Sequence, residues 1–257
     1  NPNFQNIPIR KEEGREIRKA FRTQGNGWKI LSADYSQMEL RIMAHLSQDK
    51  ALCDAFKQGD DIHTRTASNV FSVPIDSVLP EMRRIAKVVN FGIMYGAGPF
   101  RMSQELDIPR SEAAVIIESY FDQYSGIRTY IDSTLEKART EKYVETILGR
   151  RRPVWDADSN NGLRRQAAER MAINMPIQGS AAEMIKLAMA AIHKEFIKKK
   201  MESKMILQIH DELLFEFPDS EEETLIDLVT TEMEKALPLS IPVVVDYGIG
   251  DNWYEAH

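Results

Sequence analysis

Lys204-Met-Ile-Leu-Gln-Ile-His210-Asp211-Glu212-Leu-Leu-Phe-Glu-Phe217 is the stretch of this 257-residue chain on which its fold turns. Met205, Leu207 and Ile209 alternate with other residues before the acidic pair. Leu213, Phe215 and Phe217 alternate after it. Apolar residues at period two on both sides of a short charged break predict a tight β-hairpin with Asp211 and Glu212 at its tip. Working outward, Lys29–Tyr35 reads as a strand near the start and Val243–Asp246 as a final one, with a helix between the hairpin and that last strand. The middle of the chain is mostly helical. Strands at both ends with helices between them predict an α+β fold: an antiparallel sheet with helices and an inserted, mostly helical subdomain.

Several helix ends follow from local chemistry. Ser36 with Glu39 reads as a capping box opening a helix through about Leu46. Ser180 with Glu183 repeats the pattern, and Ile185, Ala188, Met189, Ile192 and Phe196 then keep helical spacing. Pro176 predicts a break between that helix and an earlier one over 164–174. Gly59, Asp60 and Asp61 read as a loop before a helix beginning near His63. Residues 149–162 read as an irregular connection. No internal repeat or low-complexity linker is visible.

Hydrophobic residues make up 43% and charged residues 28% of the chain, an ordinary soluble composition able to bury a core. No apolar run approaches the ~18–20 residues needed to cross a bilayer, and no signal peptide opens the sequence. The single cysteine, Cys53, excludes an intrachain disulfide framework and fits a reducing compartment. The first residue is Asn1, which leads us to expect a piece of a longer protein. The formal net charge is −6, but it is unevenly spread. From Asp211 to His257 there are 13 acidic residues and one basic residue, so residues 1–210 carry +6. Lys137 to Arg170 holds nine basic and five acidic residues, including Arg150, Arg151 and Arg152. A phosphate backbone answers to local positive surface and not to the total charge. A solvated charged surface would read the same way.

Three constellations carry chemistry. Asp34 ends a strand just before a helix start, where a carboxylate is placed to meet a cation or a ligand; an ordinary strand–helix turn accounts for it equally. Asp211 and Glu212 at a hairpin tip equally fit a solvated turn. Asp34 and Asp211 brought together would repel unless cations lay between them. Two Mg²⁺ ions held there would suit an in-line phosphoryl transfer. The third stretch is Arg83-Arg-Ile-Ala-Lys87-Val-Val-Asn90-Phe91-Gly92-Ile-Met-Tyr95-Gly96. At ~100° per residue, Ile85, Val88, Val89 and Gly92 share one face, and Arg83, Lys87, Asn90 and Phe91 share the other with Tyr95 at its edge. Two cations one turn apart suit a polyphosphate. An aromatic ring one turn further suits a base or sugar. An amphipathic helix with a basic face is the plainer alternative.

Together these segments resemble family A DNA polymerases. Asp34-Tyr-Ser-Gln-Met-Glu39-Leu-Arg41 is similar to the family's first palm motif. Arg83 to Gly96 is similar to its fingers-helix motif, R-x-x-x-K-x-x-N-F-G-x-x-Y-G, and His210-Asp211-Glu212 to its last palm motif. Asn1-Pro-Asn3-Phe-Gln-Asn6-Ile-Pro and Arg170 through Gln178-Gly179 also match family segments. The five matches occur in order and span essentially the whole chain. The resemblance implies palm residues at 1–45 and 166–257 with fingers at 46–165. It implies that Asp34 and Asp211 ligate two Mg²⁺ ions, with the Tyr35 carbonyl assisting, Glu212 as a further candidate ligand and Mn²⁺ as a substitute. Arg83, Lys87 and His63 would hold the incoming dNTP. Glu39, held by Tyr95, would obstruct a 2′-hydroxyl. Phe91 would pack on the nucleotide sugar and base, and Tyr95 would stack near the templating base. Arg170, Asn174, Gln178 and His210, with Asn3 and Asn6, would contact primer–template DNA. A monomeric enzyme of the bacterial cytoplasm and its nucleoid is implied; an organellar enzyme freed of its leader would look the same.

The resemblance also implies a thumb upstream of Asn1. Residues 153–162 depart from the family's usual Leu-Pro-Asp-type sequence after the arginine run, as does Ala97-Gly98-Pro99 after the fingers motif. These departures bear on DNA grip and processivity more than on the active-site chemistry. Two rivals are distinguishable. A single-subunit, phage-type RNA polymerase shares the two-carboxylate palm, but Glu39 and Phe91 argue against it. A non-catalytic nucleic-acid-binding remnant has no need of the acidic pair.

Overall fold

The period-two strands and the long helical middle both form in a computed structural model of the chain, which describes residue 7 and residues 12–257, positions 13 and 15 by backbone alone. In chain order the elements are α1 (Glu12–Arg18), β1 (Trp28–Tyr35), α2 (Met38–Ser47), α3 (Lys50–Gln58), α4 (Ile62–Val70), α5 (Pro80–Met94), α6 (Pro99–Leu106), α7 (Arg110–Gln123), α8 (Ser125–Glu141), β2 (Tyr143–Glu145), β3 (Arg151–Pro153), α9 (Gly162–Lys199), β4 (Lys204–Ile209), β5 (Glu212–Pro218), α10 (Glu222–Lys235) and β6 (Val245–Gly250). They divide into two units. One holds the described residues up to Met38 with Ala181–Pro238 and Val243–His257; the other holds Glu39–Ser180 with Leu239–Pro242. The fold is α+β, with helices inserted in sequence between the first strand of the sheet and its hairpin.

The first unit is built on a four-stranded antiparallel sheet of order β4-β5-β1-β6. Because side chains alternate across a strand, the sheet has two distinct faces. On one, Leu31, Ala33, Tyr35, Phe215 and Phe217 are all buried. Tyr35 donates its hydroxyl to the Met233 carbonyl of α10 at 2.8 Å, and Phe196 of α9 meets Phe215 edge-on at 6.0 Å. On the other face, Ile30 and Leu214 pack with Ile209, Trp253 and Ala256. Gly248 and Gly250 of β6 let the segment after the strand lie directly on this face: a Cβ on Gly248 would stand 2.5 Å from the Ala256 carbonyl oxygen. That close approach places Trp253 beneath the hairpin.

The second unit is mostly helical. α4 packs on α5 and α6 on α7, and the short hairpin β2–β3 seats Val144 and Val154 against Ala138, Ala168 and Ala172 of α8 and α9. Among the described residues no helix is long and apolar enough to cross a membrane.

Five expectations need correction. The helix expected at Ser36 begins at Met38, because Gln37 takes a left-handed backbone (φ 53°) and the Ser36 amide donates to the Val244 carbonyl. Pro176 does not divide two helices, and Ser180 does not start one: α9 runs unbroken for 38 residues through both. The Ser180 hydroxyl donates to the Pro176 carbonyl at 2.6 Å and accepts from the Ile147 amide at 3.0 Å. The buried residues on both sides of the proline outweigh the one backbone bond it removes. Residues 149–162 are not wholly irregular, since they contain β3. The last strand lies later than expected, at Val245–Gly250.

Candidate active site

In the first unit, β1 carries Asp34 between two other acids: Asp34 is directly opposite Glu212 of β5 on one side and Asp246 of β6 on the other. Asp246 escaped the sequence reading because an acid in a short C-terminal strand has no distinguishing pattern. Asp211 sits with His210 in the two-residue connection between β4 and β5, as the alternation predicted. His210 has φ 54° and is exposed. The Tyr35 amide approaches the Asp211 carbonyl at 3.4 Å, which ties the hairpin tip to the end of β1. The Tyr35 ring is buried, so only its backbone is left to serve the site.

The carboxylates differ in environment. Glu212 is buried, and its Oε1 accepts from Ser32 Oγ at 2.7 Å and Trp253 Nε1 at 2.8 Å, with His257 Nδ1 at 3.4 Å. Burial opposes its charge, but the contacts from His257, Ser32 and Trp253 outweigh that and hold it below the usual range. Its Oε1 is thus engaged in fastening the hairpin. Asp34 is the reverse: Oδ1 is buried and has no hydrogen-bond partner among the described residues. Burial first, then the charges of Asp211 and Glu212, push its carboxyl up to about 7. Burial also raises Asp211. Two hard oxygen donors, one left bare in a buried position, fit a Mg²⁺ site that keeps waters and takes its remaining ligands from substrate phosphates. Among the described residues no group of three or more metal-binding side chains gathers.

The raised Asp34 has a consequence for stability. In the folded chain it holds its proton up to about 7, whereas unfolded it releases it near 3.8. Between those values the folded state binds more protons, so this group's contribution is lost as pH rises from about 4 to about 7. His63, lowered from 6.5 to about 4 by burial, pulls the other way over much of that window. The comparison with Asp34→Asn isolates the carboxyl. In metal-free buffer the melting temperature of Asp34→Asn relative to the unsubstituted chain is expected to climb from pH 5 to pH 7.5. A constant difference across that range would refute the raised pKa.

In the second unit, α5 and the start of α4 form a cationic and aromatic cluster. Asp61 caps α4, accepting from the His63 amide at 3.0 Å and the Thr64 hydroxyl at 2.7 Å, and it also accepts from Arg83 Nε at 2.5 Å. Asp61 therefore holds Arg83 beside His63, and these contacts keep its carboxyl low, at about 2, against the effect of burial. Arg83 and Lys87 are exposed. The Phe91 ring lies 5.8 Å from the His63 ring and 6.2 Å from that of Tyr95. Tyr95 donates its hydroxyl to Glu39 Oε2. His63, Arg83, Phe91, Tyr95 and Glu39 are thus linked by contact.

The expected exposed stripe of α5 is wrong at Asn90, which is fully buried, and its packing face is Ala86, Val89, Asn90, Ile93 and Met94, with Ile85 and Val88 only half-buried. Asn90 is buried because its amide meets His63 Nδ1 at 3.0 Å and the Thr66 hydroxyl at 3.2 Å. Those partners lie on α4, more than 20 residues away, and no helical period reveals them. Arg170, Asn174 and Gln178 follow one another at four-residue spacing along α9, Arg170 and Gln178 exposed and Asn174 half-buried. Arg170 also lines a cavity of about 400 Å³ with Gly96, Phe100, Arg101, Arg110 and Gln166. Asn3 and Asn6 lie outside the described residues.

Residues 1–255 match the family described as DNA polymerase family A. DNA polymerase I of Bacillus caldotenax is 48% identical over 99% of this chain, and the thermostable DNA polymerase I of Thermus thermophilus is 48% identical over 100% of it. The chain spans 29% and 30% of those two relatives. Among solved structures, the POL domain of Pol1 from M. smegmatis in complex with DNA primer-template and dNTP has a TM-score of 0.95 at 47% identity, covering 99% of this chain and 45% of that one.

Proposed function

We propose, for a chain that belongs to DNA polymerase family A, that it carries the nucleotidyl-transfer site of a template-directed DNA polymerase, adding dNMP from dNTP to a primer 3′-hydroxyl with release of pyrophosphate. The observation that carries this reading is Asp34 at the end of β1 with a buried, unpartnered Oδ1, tied by the Tyr35 amide to the hairpin tip that bears Asp211. Asp34 and Asp211, with the Tyr35 carbonyl, would hold two divalent ions, Mg²⁺ with Mn²⁺ as substitute, which supply charge stabilisation to the attacking and leaving oxygens.

The remaining roles fall to side chains of this chain. Arg83 and Lys87 neutralise the triphosphate, and Asp61 keeps the Arg83 fork aimed. His63 donates to a phosphate oxygen. Phe91 packs on the nucleotide. Glu39, fixed by the Tyr95 hydroxyl, obstructs a 2′-hydroxyl and selects deoxyribose; this favours DNA over RNA synthesis. Arg170, Asn174, Gln178 and His210 contact primer–template DNA, largely in the minor groove, whose degenerate pattern suits an enzyme that must accept every sequence.

Primer extension tests the reading. The chain with primed template, Mg²⁺ and dNTPs is expected to extend the primer, and with rNTPs to extend it poorly. Efficient use of rNTPs would favour a phage-type RNA polymerase. DNA binding with no extension under any condition, before or after addition of the upstream part of a relative, would favour a non-catalytic binding remnant.

A further inference from the structure

The structure assigns to Asn90 a positioning role: with Thr66 and Tyr124 behind it, Asn90 fixes which nitrogen of His63 carries the proton, so that Nε2–H is presented to an anionic phosphate oxygen. The phosphate half of this inference rests on the proposed function; the tautomer half stands on the hydrogen-bond geometry around a neutral ring.

The four side chains form one buried row within the second unit: Tyr124 and Asn90 are 0%, Thr66 1% and His63 4% exposed. The Thr66 hydroxyl donates to Asn90 Oδ1 at 3.2 Å. Its proton being committed there, Thr66 Oγ accepts from the Tyr124 hydroxyl at 3.1 Å. With Oδ1 occupied as an acceptor, the Asn90 amide must turn its NH₂ toward His63, and Nδ2 stands 3.0 Å from Nδ1. An amide nitrogen only donates, so Nδ1 must be bare and the proton of the neutral ring must sit on Nε2.

The groups facing the ring are Asp61, Arg83 and Lys87, and burial outweighs the one favourable charge to keep the imidazole neutral near pH 7. Among the described residues no hydrogen bond engages Nε2, which leaves that nitrogen to meet a ligand. An Nε2–H attracts a phosphate oxygen, whereas a bare Nε2 lone pair repels it. The row from Tyr124 to Asn90 therefore decides the sign of the contact.

The test reads the tautomer directly. Histidine-selective ¹⁵N labelling of the chain, which has five histidines, gives the ring shifts without nucleotide, and His63→Gln identifies the His63 signals. In the unsubstituted chain Nδ1 is expected to be unprotonated and Nε2 protonated. Thr66→Val keeps the side-chain shape, frees the Asn90 amide to flip and should give a mixture of tautomers. Asn90→Asp offers only an acceptor and should put a proton on Nδ1. The KM for dNTP should rise roughly twofold in Thr66→Val with kcat nearly unchanged, because apparent affinity falls with the fraction of competent tautomer. A merely structural defect would lower the active fraction and leave KM alone. A proton on Nδ1 in the unsubstituted chain, or shifts unmoved by both substitutions, overturns the assignment. Tautomers that move while KM stays constant in both Thr66→Val and His63→Gln overturn the phosphate half alone. Absence of any dNTP incorporation by the unsubstituted chain would instead count against the proposed function.

Discussion

Asp211→Asn is expected to slow dNTP incorporation by ~10³-fold or more, because losing a carboxylate proposed to hold the divalent ions would forfeit several kcal/mol of charge stabilisation at about 1.4 kcal/mol per tenfold. The substitution is nearly isosteric, and the side-chain oxygen of Asn can still accept from the Asp211 backbone amide that the carboxylate meets at the tip. Glu212 fastens the tip from below through Ser32 and Trp253, and the Tyr35 amide meets the Asp211 backbone carbonyl and not its side chain. The variant should therefore fold. It should melt no lower than the unsubstituted chain in metal-free buffer, since the charge of Asp211 is one of the causes that oppose ionisation of Asp34. Affinity for primed DNA should stay within about twofold, because one neutralised acid adds no phosphate contact. Single-turnover extension, a melting curve and a binding titration separate the three statements. An extension rate within tenfold of the unsubstituted chain would remove Asp211 from the chemistry.

Much of this site was legible where the signal is local. The alternation on either side of Asp211 is a property of the strand itself, and strand pairing then had few ways to place the tip. The strand ending at Asp34 was legible for the same reason. What escaped the sequence depends on partners far along the chain. Asn90 counts as polar on any helical wheel, and only Thr66 and His63 of α4 explain its burial. Glu212 looks like Asp211's equal in sequence, but Trp253, 41 residues later, fixes it as an anchor facing the interior. Pro176 carries a strong local rule that was overridden by burial on both sides of it and by the Ser180 hydroxyl. In each case the local preference was read correctly, and a tertiary contact outweighed it.

Lys87 offers the second large effect, because it has a charge to give and makes no hydrogen bond or ion pair among the described residues. It is exposed on α5 one turn beyond Arg83. Arg83 is different: its Nε is committed to Asp61, so part of its fork is structural and replacing it would also loosen the cap of α4. Lys87→Met keeps the stem of the side chain and removes only the ammonium. If Lys87 meets charge that grows on the triphosphate as pyrophosphate leaves, its loss falls on the transition state, and kcat should drop by ~10²–10³-fold, the usual cost of one electrostatic donor. The melting temperature should hardly move. If Lys87 only grips the ground-state triphosphate, KM for dNTP rises while kcat is kept. Steady-state extension at several dNTP concentrations distinguishes the two, and the kcat outcome is the one expected from a cation set one helical turn from the Arg83 guanidinium and one turn before the Phe91 ring.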